Sequence, residues 1–404
     1  MDNPIFGTRC LSFPIVNSEA TKYEVIEMNK PMTNRERFLA VMEYKAADRV
    51  PNHEAGVWQQ TIDRWEGEGL NVRDLHWDWF TGEEYFGMDA REFIPVNFDV
   101  LPPFDEEIIE QTDRYVIARN GKGIVTKALL EGTSRGMRAS MDEYLDFSVK
   151  TPEDFRELKK RYQPDQSRYP AQWRVIMLPG WRNRDHVLVL GRNCSTLGFY
   201  WRAREWMGTV GLSYAWYDQP ALMHEMMEFV ADFTIEVSRP ILEEIAPDYI
   251  FLNEDMAMKS GPLLSPKTYR EFILPHMRRL VEFYKQHGVR YVIVDTDGNS
   301  EPLIPALLET GVDGIWPMER AAEDQDPIML RKKYGKQLRL WGGVDKRELA
   351  KDKRVIDEHL RTFIPLIEEG GFIPTVDHTV PPDVSLGNFL YYMERKQALL
   401  AGRF

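Results

Sequence analysis

The feature that most constrains this chain is an alternation that begins near residue 187 and continues almost to the end. Val187–Gly191 precedes a helical stretch from Phe199 to Met207, and a long helix follows over Met223–Ile245. Asp248–Leu252 precedes another long helix, opened by Ser265-Pro266 and running to about His287. Tyr291–Asp297 leads into Glu301–Thr310, Gly314–Met318 into Pro327–Tyr334, Leu338–Trp341 into Val355–Glu369, and Phe372–Val376 closes the series. Short β-branched or aromatic runs that alternate with helices across short connections imply a parallel sheet, because each crossover must return the chain to the same end. About seven strands are legible in this way. None is followed by Gly-x-Gly-x-x-Gly or a phosphate-binding loop, which argues against a nucleotide fold. The expected class is α/β, as a (β/α)8 barrel, with a doubly wound open sheet as the alternative.

Before this series the pattern is less regular. Residues 1–30 show no sustained period and read as an N-terminal extension that packs on the main body or on a second subunit, so a homodimer is one expectation. The barrel domain is expected over 31–404. Thr33 with Glu36 forms a capping box ahead of an amphipathic helix. Asp48–Gly56 reads as a first strand with His53 and Glu54 at its tip, followed by a helix from Trp58 to Glu68. His76–Phe86 is densely aromatic. Asn120-Gly-Lys-Gly123 between two short β-prone runs predicts a hairpin. Thr151-Pro152 opens a charged helix that runs to Asp165.

Composition narrows the function. A net charge of −13 and a pI near 5.3 disfavour a phosphate backbone as partner, so no nucleic acid is expected. Cys10 and Cys194 are the only cysteines, too few for a disulfide framework or a thiolate-rich zinc site. With no signal peptide and no span of roughly 20 apolar residues, the expectation is a cytoplasmic protein without a membrane.

In a barrel of this class, chemistry is placed at the carboxyl ends of the strands. Those ends carry Asn253-Glu254-Asp255, Asp295-Thr-Asp297, Glu319, Gly342-Gly-Val-Asp345 and Asp377-His378. Asp295 and Asp297, two apart on a strand, point the same way and can act on one ligand: a metal, a proton in transfer or a cationic substrate. The acids and His378 form an oxygen and nitrogen donor set suited to zinc or another divalent ion if they converge. Each has a plainer reading. Asp295 and Asp297 suit a helix cap, Glu254 and Asp255 a rim pair with Lys259, Asp345 a cap, and His378 a structural hydrogen bond. His53 is a candidate for orienting substrate, or an exposed loop histidine. Tyr200, Trp201, Trp206, Trp58 and Phe98 suit either an aromatic pocket or core.

Several of these motifs carry a resemblance. Thr33–Met42 with Asp48-Arg-Val-Pro51, Glu254–Gly261 with Leu264-Ser-Pro266, Asp297-Gly-Asn299, Trp341-Gly-Gly-Val-Asp345 and Gly371–Pro382 resemble the uroporphyrinogen decarboxylase superfamily over roughly residues 31–400. Asn52–Trp58 stands where the decarboxylases have an arginine-rich segment, so the chain is more similar to the corrinoid-dependent methyltransferases. The resemblance implies a single distorted (β/α)8 TIM barrel with its site at the carboxyl face. Thiol-specific members hold zinc with His and Cys ligands, and in their place this chain has Asp295, Asp297, Glu319 and His378. That departure turns the expected donor from a thiol to an aryl methyl ether, as in anaerobic O-demethylation. The implied function is methyl transfer from a guaiacol-like methoxylated aromatic to the cob(I)alamin of a partner corrinoid protein. Asp297, Glu319 and His378 are the implied zinc ligands, with Asp295 a fourth ligand or supporting acid. Asp295, Glu254 and His53 are the catalytic candidates. The alternatives are a tetrapyrrole decarboxylase, a methyltransferase using a methylamine, and a non-catalytic tetrapyrrole carrier.

Overall fold

In the computed structural model, which describes residues 31–75, 79–131, 141–191 and 197–404, seven strands form one parallel sheet in chain order. They are β1 (Arg91–Phe93), β2 (Val187–Leu190), β3 (Tyr249–Asn253), β4 (Tyr291–Asp295), β5 (Gly314–Trp316), β6 (Arg339–Trp341) and β7 (Phe372–Ile373). The sheet is curled, as in a TIM-type barrel. Both faces are buried, which explains why the strands read as continuous apolar runs. Leu188, Leu190, Ile250, Leu252, Val292 and Val294 face the crossover helices. Alternate residues, including Val189, Tyr249, Phe251, Ile293, Trp316 and Trp341, face inward.

The capping box forms as expected: the Thr33 hydroxyl accepts from Glu36 N, and the Glu36 carboxylate accepts from Thr33 N at 2.8 Å. The helix it opens, Asn34–Met42, delivers Phe38 to the inner core, where its ring meets Tyr249 at 5.5 Å and Trp341 at 5.9 Å. The expected first strand over Asp48–Gly56 is a correction: the segment is extended but builds no ladder, and an eighth regular strand is not formed among the described residues. Its backbone bonds are single and divided. Asp89 N donates to Asn52 O at 2.8 Å on one side, while Val380 N donates to Gly56 O at 3.0 Å on the other. One isolated parallel bridge, Val57 with Val380, completes it.

The hairpin around Asn120 is present within a four-stranded antiparallel sheet: Glu107–Gln111, Tyr115–Arg119, Val125–Leu129 and Glu143–Asp146. The two outer strands are exposed throughout and carry no burial pattern to read. The helix expected over Phe199–Met207 continues to Asp218 across Gly208, whose φ of +72° and closeness to the Phe147 ring exclude a side chain. The stretch expected as one helix to Glu369 is two, Lys353–Arg361 and Ile364–Glu369, with Pro365 in the first turn of the second. Among the described residues no helix is long and apolar enough to cross a membrane. The N-terminal extension and His76–Asp78 of the aromatic stretch lie outside the described residues.

Candidate active site at the carboxyl ends of the strands

β4 lies between β3 and β5, with Asp295 level with Asn253 on one side and Trp316 on the other. Tyr291, Ile293 and Asp295 share the inner face by alternation, so the carboxylate ends a column of apolar side chains and is only 4% exposed. It accepts from the Asn253 side-chain amide. Burial, reinforced by the charge of Asp297, drives its pKa well above the usual carboxylate range. Burial thus favours the protonated form of Asp295.

Beyond the strand the chain turns at Gly298, with φ +72°. A side chain there would strike the backbone of Met258 at 2.6 Å, so glycine is required where the 257–262 hairpin crosses. The turn presents Asp297 to His378, Oδ2 to Nε2 at 3.4 Å, with side chains 35% and 30% exposed. Burial lowers the pKa of His378, but the hydrogen bond and charge of Asp297, with Glu319 beyond, outweigh it and leave a net rise. Trp58 borders this pair, its ring 6.5 Å from that of His378.

Glu319 is committed elsewhere. Its Oε1 takes the Lys346 ammonium at 3.0 Å and its Oε2 accepts from Gly298 N at 3.2 Å. Lys346 also lies 3.6 Å from Asp377, whose carboxylate accepts from Arg320 N and Lys346 N and is pushed by burial to about 6. Sequence reasoning missed Lys346; its position one residue after Gly342-Gly-Val-Asp345 was the available signal. Asp255 sits at φ +38°, an uncommon conformation for a residue with a side chain, and pairs with Arg204 at 2.5 Å rather than with Lys259.

The expected zinc ligands are only partly brought together. Among the described residues no group of three His, Cys, Asp or Glu side chains is placed to hold a metal ion. Asp297 and His378 face each other, but Glu319 is paired with the Lys346 ammonium, and Asp295 is turned to Asn253. The donors do not fit a zinc ion.

Two catalytic candidates also have other work. Glu254 is fully buried, with its two carboxylate oxygens accepting from Phe199 N at 2.9 Å and Tyr200 N at 2.7 Å. It caps the helix over Phe199–Asp218, and burial raises it to about 7 despite those bonds. His53 is no exposed loop residue. It lies inside the inner core, stacked on Trp341 at 5.3 Å, and burial followed by the charges of Arg91 and Lys396 holds it well below the ordinary histidine range. Asp345 is a helix cap, its Oδ1 accepting from Arg347 N at 2.9 Å. Of the aromatic candidates, Phe98, Tyr200 and Trp206 belong to the outer core, whereas Trp58 lies beside the site.

The family model described as uroporphyrinogen decarboxylase (URO-D) matches residues 205–398, which span β3 to β7 and every acid just described. Over that stretch the chain is similar to the uroporphyrinogen decarboxylase family. Among curated proteins, the uroporphyrinogen decarboxylase of Hydrogenovibrio crunogenus is 25% identical over 178 residues, 42% of this chain and 46% of that protein. That of Trichormus variabilis is 22% identical over 186 residues, 45% and 50% respectively. The chain thus matches about half the length of these relatives. Among solved structures, a methyltransferase from Methanosarcina mazei superposes with a TM-score of 0.55 at 14% identity, covering 91% of this chain and 100% of that one. That likeness is one of fold, over 91% of this chain.

Proposed function

We propose that this chain is a methyltransferase that removes the methyl group of an aryl methyl ether and passes it to the corrinoid of a partner protein. The observation that carries the proposal is the Asp297–His378 pair: a histidine 3.4 Å from a carboxylate that favours its proton, partly exposed at the strand ends near the buried Asp295. An aryl ether is inert because its leaving group is a phenolate, and a positioned proton donor at the oxygen removes that obstacle. The C–O bond breaks with both electrons passing to oxygen, which takes the proton of His378, and a phenol leaves. The reduced corrinoid supplies the nucleophile that accepts the methyl group. Asp297 holds the resulting imidazole in place and favours its reprotonation. The exposure of the pair suits a reactant delivered by another protein.

A Brønsted acid replaces the Lewis acid that the sequence implied. Methyl transfer from guaiacol to cob(I)alamin on its partner, followed by loss of the cob(I)alamin absorbance, tests this. We expect turnover by the purified protein that survives chelator treatment, with His378→Ala and Asp297→Ala each reducing kcat/KM by ~10²–10⁴-fold. Undiminished rates in both variants sink the proposed acid, and stoichiometric zinc needed for activity restores the metal.

A second reading, tetrapyrrole decarboxylation, is favoured by the matched curated relatives, which are all uroporphyrinogen decarboxylases. Formation of a less carboxylated porphyrinogen from uroporphyrinogen, with no methyl transfer, selects it.

A further inference from the structure

Below the Asp295 level, the inner core holds a cation that lacks a counter-ion among the described residues. Arg91, on β1, is 7% exposed, and its guanidinium lies 5.6–6.0 Å from the ring centroids of Phe80, Phe93 and Trp341. Its polar contacts are long and neutral: Tyr249 OH at 3.3 Å and the Glu54 carbonyl at 3.4 Å. Its Nε has no partner, and neither does the Nε1 of Trp341. The Glu54 carboxylate is taken up by Lys396 Nζ and Tyr392 OH, each at 2.6 Å, and by Val376 N at 2.8 Å. Lys396 takes that carboxylate, and the Arg91 guanidinium sits in aromatic surroundings.

A buried, unpaired charge is tolerated poorly unless something else completes it. A small cavity of about 10 Å3 is lined by Arg91 and Glu54 with the rings of Phe80, Phe93, Tyr249, Phe251, Trp316 and Trp341, enough for one water-sized body. Phe80 and Phe93 are partly exposed, so the cavity has an aromatic side towards solvent and a guanidinium deeper in. Trp316, its wall, stands beside Asp295 in the strand register. Phe80 is held against this wall by ring contact, 5.8 Å from Trp316 at 64°, an interaction that an inserted ring could replace. Aromatic walls without Arg91 would suit a methylated ammonium ion; with Arg91 among them a cationic methyl donor is repelled.

We infer that this pocket binds the carboxylate of a small aromatic acid, with Arg91 as its anchor and the ring taking the place of Phe80 between Phe93 and Trp316. The substrate class narrows from aryl methyl ethers to those bearing a carboxylate. This deepens the proposed methyltransferase reading and rests on it for the methyl group, though not for binding.

The test is a titration of the full chain with 4-methoxybenzoate, with its neutral counterpart anisole and with sodium chloride, read by tryptophan fluorescence and thermal shift without any corrinoid. We expect 4-methoxybenzoate to bind at least ten-fold more tightly than anisole, Arg91→Met to abolish that preference, and Arg91→Lys to keep part of it. Phe80→Ala, which widens the pocket without touching the charge, should keep the preference for the acid and keeps the test open if Arg91→Met does not fold. Equal binding of acid and ether, a preference that survives in Arg91→Met, or a thermal shift that chloride reproduces at equal concentration overturns the inference. Failure here leaves methyl transfer from neutral ethers standing. Arg91-dependent binding without methyl transfer removes only the transferase reading.

Discussion

At His378 burial and charge act in opposite directions, and charge wins: the ring loses water, but Asp297 and Glu319 favour its proton. A proton donor must be charged to work, so activity holds below the pKa of His378 and falls as pH rises through it. Because that pKa lies above the ordinary ~6.5, the fall should come at higher pH than an unperturbed histidine would give. Asp297→Asn removes the main raising influence and should move the fall to lower pH, with more activity lost at pH 8 than at pH 6. The check is kcat/KM against pH for both proteins; superimposable profiles would show that Asp297 does not set the proton affinity of His378. Neither interaction is visible in the sequence, where 81 positions separate the pair, and spacing offers no sign of their meeting. The same limit explains Glu254. Next to Asp255 it reads as a second site acid, but its carboxylate turns to the amino end of the helix over Phe199–Asp218, where backbone N–H groups await an anion.

At the scale of elements, the segment over residues 52–58 is held mainly by side chains, because it lacks a regular ladder. Glu54 is the centre of that hold, linking Val376 beyond β7 to Tyr392 and Lys396 on the C-terminal helix Leu386–Leu400, while Lys396 also donates to His53 O at 2.7 Å. Both members of the ion pair are fully buried, and removing one leaves the other uncompensated. Lys396→Met should therefore destabilise the protein by ~3–5 kcal/mol, seen as a lower urea midpoint. A midpoint within error of the parent would mean that the helix is held to residues 52–58 by packing alone. The outer strands of the antiparallel sheet were missed for a related reason. Strand recognition uses a buried face, and Glu107–Gln111 has none.

At the scale of the molecule, the inner core is stoppered from one end by the helix over Asn34–Met42. Phe38 is fully buried against Tyr249, Tyr291 and Trp341, so Phe38→Ala leaves a cavity within a rigid ring of aromatics and should cost ~3–5 kcal/mol by chemical denaturation. A loss below 1 kcal/mol would show that these rings collapse into the space. This core also decides the role of His53. From the sequence it is a polar strand tip, whereas in the fold it stacks on Trp341 as a neutral ring with neither nitrogen partnered.

The sequence by itself determined the parallel α/β architecture, because apolar runs alternating with capped helices allow few other arrangements. It also placed the acids at strand ends, because side-chain alternation and the turn residues fix where each strand stops. Only the tertiary structure decided what those acids do. Charge state and partnership depend on which side chains meet across strands: Lys346 reaching Glu319, Asn253 beside Asp295, and Asp297 against His378. Those meetings turned an expected ligand set into a carboxylate–histidine pair, and among the described residues they left Arg91 buried without a carboxylate. Each follows from strand order and register, which local sequence does not encode.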